Sequence, residues 1–322
     1  MSKYQKDEEI SMIEKTRRDC IECDRCKKNC SFLQKYDMNL LDFCDKPETA
    51  YSCFLCDKCK AVCPVDLPGA KIAIEHRKKT PVKAIKTAFM KNSYKFRNNS
   101  KKKTKDLLFL GCNYPGFYQK TCEKLIEIFK AEGFDYSVDC CKKPVYEMGG
   151  TANIENIEKL CAKKNVKRLV TCCPNCYHFM KDRISVKVID IYEWMIEKGI
   201  GKKIHGKLDI FFPCSDKETK EIFESVKFFI EDYSDTFKDV NCCGLGGGVN
   251  DKELLNIKKE RIIAHNVPHI YTYCSSCSGI FKNGYKINGV KNILSEILDV
   301  NEEVSAEYPK NVMKFMFKNL RK

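Results

Sequence analysis

The sequence predicts an α+β multidomain protein: a small α-helical N-terminal unit, then two repeated α/β modules, each built on a parallel sheet. Three observations predict it. A run of four cysteines, Cys20, Cys23, Cys26 and Cys30, recurs with identical spacing as Cys53, Cys56, Cys59 and Cys63. From residue 107 onward, short apolar runs alternate with amphipathic stretches, the texture of a parallel α/β sheet. Five cysteines of this half recur about a hundred residues later. Cys112 matches Cys214 and Cys140-Cys141 match Cys242-Cys243 at an offset of 102, and Cys173 and Cys176 match Cys274 and Cys277 at 101. Five positions held in register over that distance mark an internal duplication.

The N-terminal unit is assigned to residues 1–79. Its spacing, C-x2-C-x2-C-x3-C twice and closed by Cys63-Pro64, is the bacterial ferredoxin pattern for two [4Fe–4S] clusters. Three cysteines three residues apart wrap one corner of a cube, and the fourth ligand comes from the other run. Cys20, Cys23, Cys26 and Cys63 are therefore assigned to one cubane, and Cys53, Cys56, Cys59 and Cys30 to the other. Structural zinc prefers two C-x2-C pairs separated by a loop, which a doubled run of four does not fit. The 22 residues between Cys30 and Cys53 read as helix, with Leu33, Leu40, Leu41 and Phe43 available for a small core. A helical two-cluster ferredoxin domain is the expectation.

Residues 80–106 read as an exposed basic linker. Between Arg77 and Lys105 there are twelve Lys or Arg and no Asp or Glu, which supplies most of the net charge of +14. The rest is close to neutral, so no nucleic-acid partner is expected. Val82, Ile85 and Phe89 recur at helical spacing among the lysines. That segment is either a solvated linker helix or a dock for anionic lipid or an acidic redox partner.

The first module is placed at 107–205 and the second at 206–322. Asp106–Gly111, Lys167–Thr171, Leu208–Phe212 and His269–Tyr273 are candidate strands. Helices are expected over about Thr121–Ala131 and from Pro174. The cysteines follow the strands, and parallel sheets bind ligands at the carboxyl ends of their strands. The five thiols of each copy are expected to converge on one crevice. Adjacent cysteines do not chelate a single metal comfortably, whereas a multi-iron cluster accepts both. The tail from Pro309, with Val312, Phe315, Phe317 and Leu320, is expected to lie on the second module.

Twenty-two cysteines among 322 residues exclude an ordinary composition. A disulfide scaffold is shorter and follows a signal peptide. The start MSKYQKDEEI has no apolar h-region, and no stretch reaches the ~18 apolar residues of a membrane span. The thiols are expected to be metal ligands in a reducing, cytoplasmic setting, with peripheral contact at the inner face of a membrane as an option.

The paired motifs carry a resemblance. Phe211-Phe-Pro-Cys214, Cys242-Cys-Gly-Leu-Gly-Gly-Gly248 and Tyr273-Cys-Ser-Ser-Cys277 resemble the second motif of the CCG cysteine-rich domain of heterodisulfide reductase catalytic subunits. Cys112, Cys140-Cys141 and Cys173-Pro-Asn-Cys176 resemble its first. Similar modules occur in the iron–sulfur subunits of anaerobic glycerol-3-phosphate, glycolate and lactate oxidation. A ferredoxin unit followed by two CCG modules is similar to the fused form of that subunit. The resemblance implies a noncubane [4Fe–4S] cluster in each complete five-cysteine set, with disulfide cleavage between the two. Cys112, Cys140, Cys141, Cys173, Cys176, Cys214, Cys242, Cys243, Cys274 and Cys277 are then cluster ligands at the reaction site. The first copy departs from the pattern. It reads Cys140-Cys-Lys-Lys143 without the glycine, and Cys172 precedes Cys173. Zinc or a cubane remains an alternative there.

Gly244-Leu-Gly-Gly-Gly248 is not a G-x-G-x-x-G nucleotide loop, since Val249 ends it. Gly244, Gly246 and Gly247 are read as cofactor-binding residues whose backbone N–H groups approach cluster sulfides. Cys122 and Cys161 are expected in the core. Cys44 and Cys172 are read as spare ligands or buried hydrophobes. None of the five histidines has metal spacing, and His178 stands two residues from Cys176.

Together these features describe an iron–sulfur oxidoreductase. Electrons pass from the cubanes to the CCG modules, where a disulfide or similar two-electron substrate reacts. No flavin or nicotinamide fingerprint is present, so a separate donor, a flavoprotein or ferredoxin, and other oxidoreductase subunits are expected as partners. The alternative is a non-catalytic electron-transfer subunit that passes electrons from a dehydrogenase to quinone.

Overall fold

The computed structural model describes residues 10–80, 82–92, 100 and 102–318. The N-terminal unit is a cluster of short helices: α1 (Met12–Asp19), α2 (Arg25–Lys28), α3 (Ser31–Lys35), α4 (Leu40–Phe43), α5 (Lys58–Ala61) and α6 (Gly69–Lys79), with a 3-10 turn at Pro47–Ser52. Phe32, Leu33, Leu40 and Phe43 are buried in its core, and Leu41 is half-buried. The stretch between Cys30 and Cys53, expected as one helix, is three short pieces. Asp37 takes a left-handed φ of 47° beyond α3. Asn39 then starts α4 with a reciprocal capping box to Asp42. Pro47 opens the 3-10 turn.

The linker holds a helix, α7 (Val82–Asn92). Expected linker residues Asn98, Asn99 and Lys101, and Phe96 at the end of the proposed docking segment, lie outside the described residues.

The first module runs β1 (Asp106–Phe109), α8 (Asn113–Phe117), α9 (Gln119–Ala131), β2 (Asp135–Ser137), α10 (Lys143–Glu147), α11 (Glu155–Lys164), β3 (Arg168–Thr171), α12 (Pro174–Met180), β4 (Lys187–Asp190) and α13 (Ile191–Lys198). The strands form one parallel sheet in the order β2-β1-β3-β4. Leu107, Leu108 and Phe109 are fully buried, as a strand covered on both faces requires. Helix α9 buries Cys122, Leu125, Ile126 and Phe129, a stripe at helical spacing.

The second module repeats the plan: β5 (Ile204–Asp209), α14 (Glu221–Val226), β6 (Ile230–Ser234), α15 (Lys252–Ala264), β7 (Ile270–Thr272), α16 (Ser275–Gly279), β8 (Val290–Asn292) and α17 (Ile293–Ile297). Strands β5 and β6 pair in parallel, as do β7 and β8, and a bridge between Ile210 and Tyr271 joins the two pairs. The order is thus β6-β5-β7-β8, the first sheet over again. The register repeats too. Leu108 pairs with Val170, and Val170 with Ile189; Ile210 pairs with Tyr271, and Tyr271 with Lys291. Even the caps correspond: the side chain of Asp190 caps α13, and that of Asn292 caps α17.

The last helix, α18 (Tyr308–Lys318), corrects an expectation. It crosses back to the first module and lies on α8, not on the second module. The Tyr308 ring packs on Phe117, and its hydroxyl donates towards the Cys112 carbonyl (3.2 Å) and Asn113 Oδ1 (3.0 Å). Gly116 lets the ring approach this closely. Val312 and Phe315 are buried there. The side chain of Phe317, and Leu320, lie outside the described residues.

Arg77 opens the basic stretch yet is fully buried. Its guanidinium donates to the carbonyls of Ala50, Cys53 and Glu147, which ties the N-terminal unit to the first module. Helix α7 is not a free linker either. It lies on α10, and the Lys142 ammonium donates to the Lys91 carbonyl. Both modules share one continuous core. Among the described residues, no helix is long and apolar enough to cross a membrane.

Candidate metal centres and the cleft at their junction

The two cysteine runs of the N-terminal unit fold alike, residue for residue. Glu22 and Leu55 have left-handed φ of 52° and 54°, and Asp24 and Asp57 of 57° and 53°. Each pair occupies the same place in its C-x2-C-x2-C turn. The turn aims backbone N–H groups at sulfur: Leu55 N–H donates to Cys53 Sγ at 3.5 Å. One cavity, with about 310 Å³ of space free of protein atoms and partly open to solvent, is lined by Cys20, Cys23, Cys26 and Cys63. A second, of about 430 Å³, is lined by Cys30, Cys53, Cys56 and Cys59. Each cavity thus gathers three thiols of one run and one of the other.

The ten thiols of the repeat form an almost continuous series. In the first module Cys112 meets Cys140, Cys140 meets Cys141, Cys141 meets Cys176, and Cys176 meets Cys173, each within hydrogen-bonding reach. In the second, Cys243 meets Cys277 and Cys277 meets Cys274, with Cys214 beside Cys243. Cys173 and Cys274 touch, so the two sets abut. Cys242 behaves differently from its counterpart Cys140. Its thiol faces Cys56 of the N-terminal unit, and it belongs to that unit's core together with Val249 and Leu254.

Burial pushes the Cys20, Cys26, Cys30, Cys53 and Cys59 thiols above the ordinary value. Cys141, which accepts hydrogen bonds from Cys140 and Cys176, is pulled below the ordinary thiol value. Cys274 is lowered in the same way by Cys173 and Cys277. Among the described residues, no group of three His, Cys, Asp or Glu side chains is drawn tight enough for a single metal ion. The donor set fits multi-iron clusters. All 22 cysteines are free thiols, and eight of them line the two cavities of the N-terminal unit. A cationic iron core would deprotonate thiols that burial otherwise keeps protonated.

The lysine that replaces glycine in the first copy does not change the backbone. Lys142 has φ 68° where Gly244 has φ 91°, so both copies use the left-handed turn after the cysteine pair. A non-glycine residue there costs roughly 1–2 kcal/mol. Its ammonium is anchored on the Lys91 carbonyl (2.9 Å) and beside Asp139 (3.7 Å). Lys91 Nζ in turn donates to Cys112 Sγ at 3.7 Å. The glycines of the second copy also allow close approach of other segments. A Cβ on Gly246 would meet the Phe54 carbonyl at 2.7 Å, and one on Gly247 the Cys53 carbonyl at 2.5 Å. Gly244 lies under the Tyr285 hydroxyl. Gly246 and Gly247 are thus the seam along which the N-terminal unit docks on the second module. Asn241, which donates to the Asn29 carbonyl, and Lys35, paired with Asp251, close the same seam.

The unassigned cysteines resolve into core positions. Cys122 and Cys161 are fully buried in the shared core. Burial pushes the Cys172 thiol up, and Cys122 is close enough to feel its charge. Cys44 donates to the Leu40 carbonyl at 3.3 Å and is held up at about 11 by burial.

A large cleft opens where the three units meet. Cys56, Cys63 and Cys214 reach its wall, with Lys143, Asn175 and His178. Cys214 is the one cysteine of the ten that is not buried. His178 Nε2 lies 2.8 Å from Asp216 Oδ1, and the fully buried Asp216 also accepts from the Tyr273 hydroxyl and the Ile222 and Phe223 N–H groups. Burial opposes the charge of Lys143, but Glu147 and the Cys214 and Cys141 thiols outweigh it and raise its pKa. Asp216 and Lys143 carry no motif in the sequence. Their only signal is their nearness to Cys214 and Cys141.

Comparison with known proteins bears on this arrangement. Two stretches of the chain, residues 107–181 and 210–282, match the model of the CCG cysteine-rich domain. They coincide with the two repeated modules and contain all ten thiols. With the cysteine content, they point to iron–sulfur redox chemistry. No curated protein matches the chain. Four chains of solved structures do. One is a glutamate racemase from Bacillus anthracis, at 11% identity and a TM-score of 0.32, over 62% of this chain and 80% of that one. Likeness at that level carries no argument about activity.

Proposed function

We propose that the chain is an iron–sulfur oxidoreductase that reduces a disulfide, or a similar two-electron substrate, at its CCG modules. Cys20, Cys23, Cys26 and Cys63 would hold one cubane, Cys30, Cys53, Cys56 and Cys59 a second, and each five-thiol set a noncubane [4Fe–4S] cluster. The clusters would supply one-electron storage and transfer. The observation that carries this reading is the nearness of the thiols along the modules: Cys56 meets Cys242, and its chain neighbour Cys243 leads through Cys277 and Cys274 to Cys173, with Cys214 at the cleft wall. Cys23, the one exposed cysteine, suits uptake from a separate donor. The reaction consumes two electrons and two protons, breaks one S–S bond and leaves two thiols. The protein's part is to hold the substrate in the cleft beside Cys214 and to keep the other nine thiols from water. Cys63→Ser should slow electron uptake. Cys243→Ala should leave the EPR signals of the N-terminal centres intact and abolish disulfide turnover. Normal turnover by the Cys243 variant overturns the assignment.

A second reading, an electron-transfer subunit working towards quinone, draws on α7. Ile85 and Phe89 are 68% and 82% exposed, beside exposed Lys83 and Lys86. Such a helix binds anionic lipid with roughly 1 kcal/mol per basic residue, and salt weakens it. Salt-sensitive sedimentation with anionic but not neutral vesicles supports this reading. Binding to neither removes it.

A further inference from the structure

The cleft that reaches Cys214 does not end at the thiols. At its far side Tyr146, Phe179 and Arg183 are shared with a smaller recess. That recess holds about 630 Å³ of space free of protein atoms, part of it open to solvent. It is lined by two basic residues, Lys78 and Arg183, by Thr151, and by no carboxylate.

The charges of the main cleft are matched. Glu147 pairs with Lys143, Asp66 with Lys60 and Glu218 with Lys58, and Asp57 accepts the Ala70 N–H. The two cations of the recess are not. Arg183 lies on the Phe179 ring at 4.6 Å and near the Tyr146 ring at 5.6 Å, and one of its amino groups donates to the Phe179 carbonyl. Neither Arg183 nor Lys78 has a carboxylate partner among the described residues. A guanidinium over aromatic rings can keep donors free for a carboxylate or phosphate. The loop Gly149–Gly150 has spent its own N–H groups on the Tyr146 and Val145 carbonyls, which leaves Arg183, Lys78 and Thr151 as the donors an anion in the recess would meet.

We propose that this recess is an anion-binding subsite: it takes the carboxylate or phosphate end of a small molecule whose other end lies beside Cys214. The proposal rests on the reductase reading for what happens at Cys214, but the binding it asserts can be measured apart from turnover. The anaerobically purified, oxidised holoprotein is titrated calorimetrically with three disulfides of similar size: dithiodipropionate (anionic), hydroxyethyl disulfide (neutral) and cystamine (cationic). Dithiodipropionate should bind at least about tenfold more tightly than the other two, as one charge-assisted hydrogen bond implies. Arg183→Gln and Lys78→Gln change exposed side chains, and each should bring dithiodipropionate down towards the neutral compound. Inorganic phosphate should compete if the subsite also accepts phosphate, and its failure to compete would narrow the ligand to carboxylates. Equal affinity for the three disulfides, or selectivity unmoved by either variant, overturns the subsite. Turnover of any of them by the reduced protein would still leave the reductase reading standing. Selective binding without turnover supports the subsite and counts against the reductase reading instead.

Discussion

At the residue scale, buried charge sets the terms. Arg77 is surrounded by carbonyls and no carboxylate hydrogen-bonds it, so its charge is solvated by the backbone of two units at once. Arg77→Leu would strip the donor from the Ala50, Cys53 and Glu147 carbonyls. We expect a loss of about 3 kcal/mol or more in thermal or denaturant unfolding. Arg77→Lys should recover only part of it, because a single ammonium cannot span three acceptors. Asp190 offers a test by pH. Burial pushes its carboxyl up to about 7, although the Tyr192 and Glu193 N–H groups favour the ionised form. The unfolded value is about 3.9. The folded state binds this proton more tightly, so the associated stability is complete below about pH 4 and is lost as pH rises through about 7. Asp190→Asn keeps an oxygen for the helix cap and cannot titrate. Between about pH 5 and 8 the wild type should lose roughly 1–3 kcal/mol relative to the variant. A constant gap in melting temperature across that range rules the titration out.

At the scale of elements, the C-terminal helix is the unexpected piece. Its Tyr308 covers Gly116 and holds the Cys112 carbonyl, so the end of the chain braces the first thiol site. Tyr308→Phe should cost about 1 kcal/mol. Truncation before Tyr308 should speed hydrogen exchange in α8 and leave the turn after Cys214, its counterpart in the second module, little changed. Equal acceleration in both would mean that the helix supports the shared core rather than this site.

At the scale of the whole molecule, three units meet around one cleft, and their thiols nearly touch across both boundaries. Cys56 faces Cys242 between the N-terminal unit and the second module, and Cys173 faces Cys274 between the modules. Four clusters of four irons give about 16 iron atoms per chain. Zinc in the first module would give about 12 iron and one zinc. Anaerobic elemental analysis separates these outcomes, and a reproducible value near 8 sinks the four-cluster assignment.

Spacing alone determined the local backbone of the cysteine runs. A C-x2-C-x2-C-x3-C run has few ways to turn, and Glu22, Asp24, Leu55 and Asp57 carry that turn in their backbone angles. The duplication was legible for the same reason: the register of cysteines at strand ends is a local property, repeated. The paired strands Leu108–Val170 and Ile210–Tyr271 follow from it. Only the tertiary structure decided which neighbours those residues serve. The left-handed turn after each cysteine pair is kept by glycine in one copy and by an anchored lysine in the other, which residue type does not reveal. The glycines Gly246 and Gly247 face the carbonyls of Phe54 and Cys53, nearly two hundred residues away in sequence. Burial of Arg77, the return of α18 to the first module and the turning of Cys242 to Cys56 are contacts between units. No periodicity encodes them, because they depend on how finished surfaces fit together rather than on how any one segment folds.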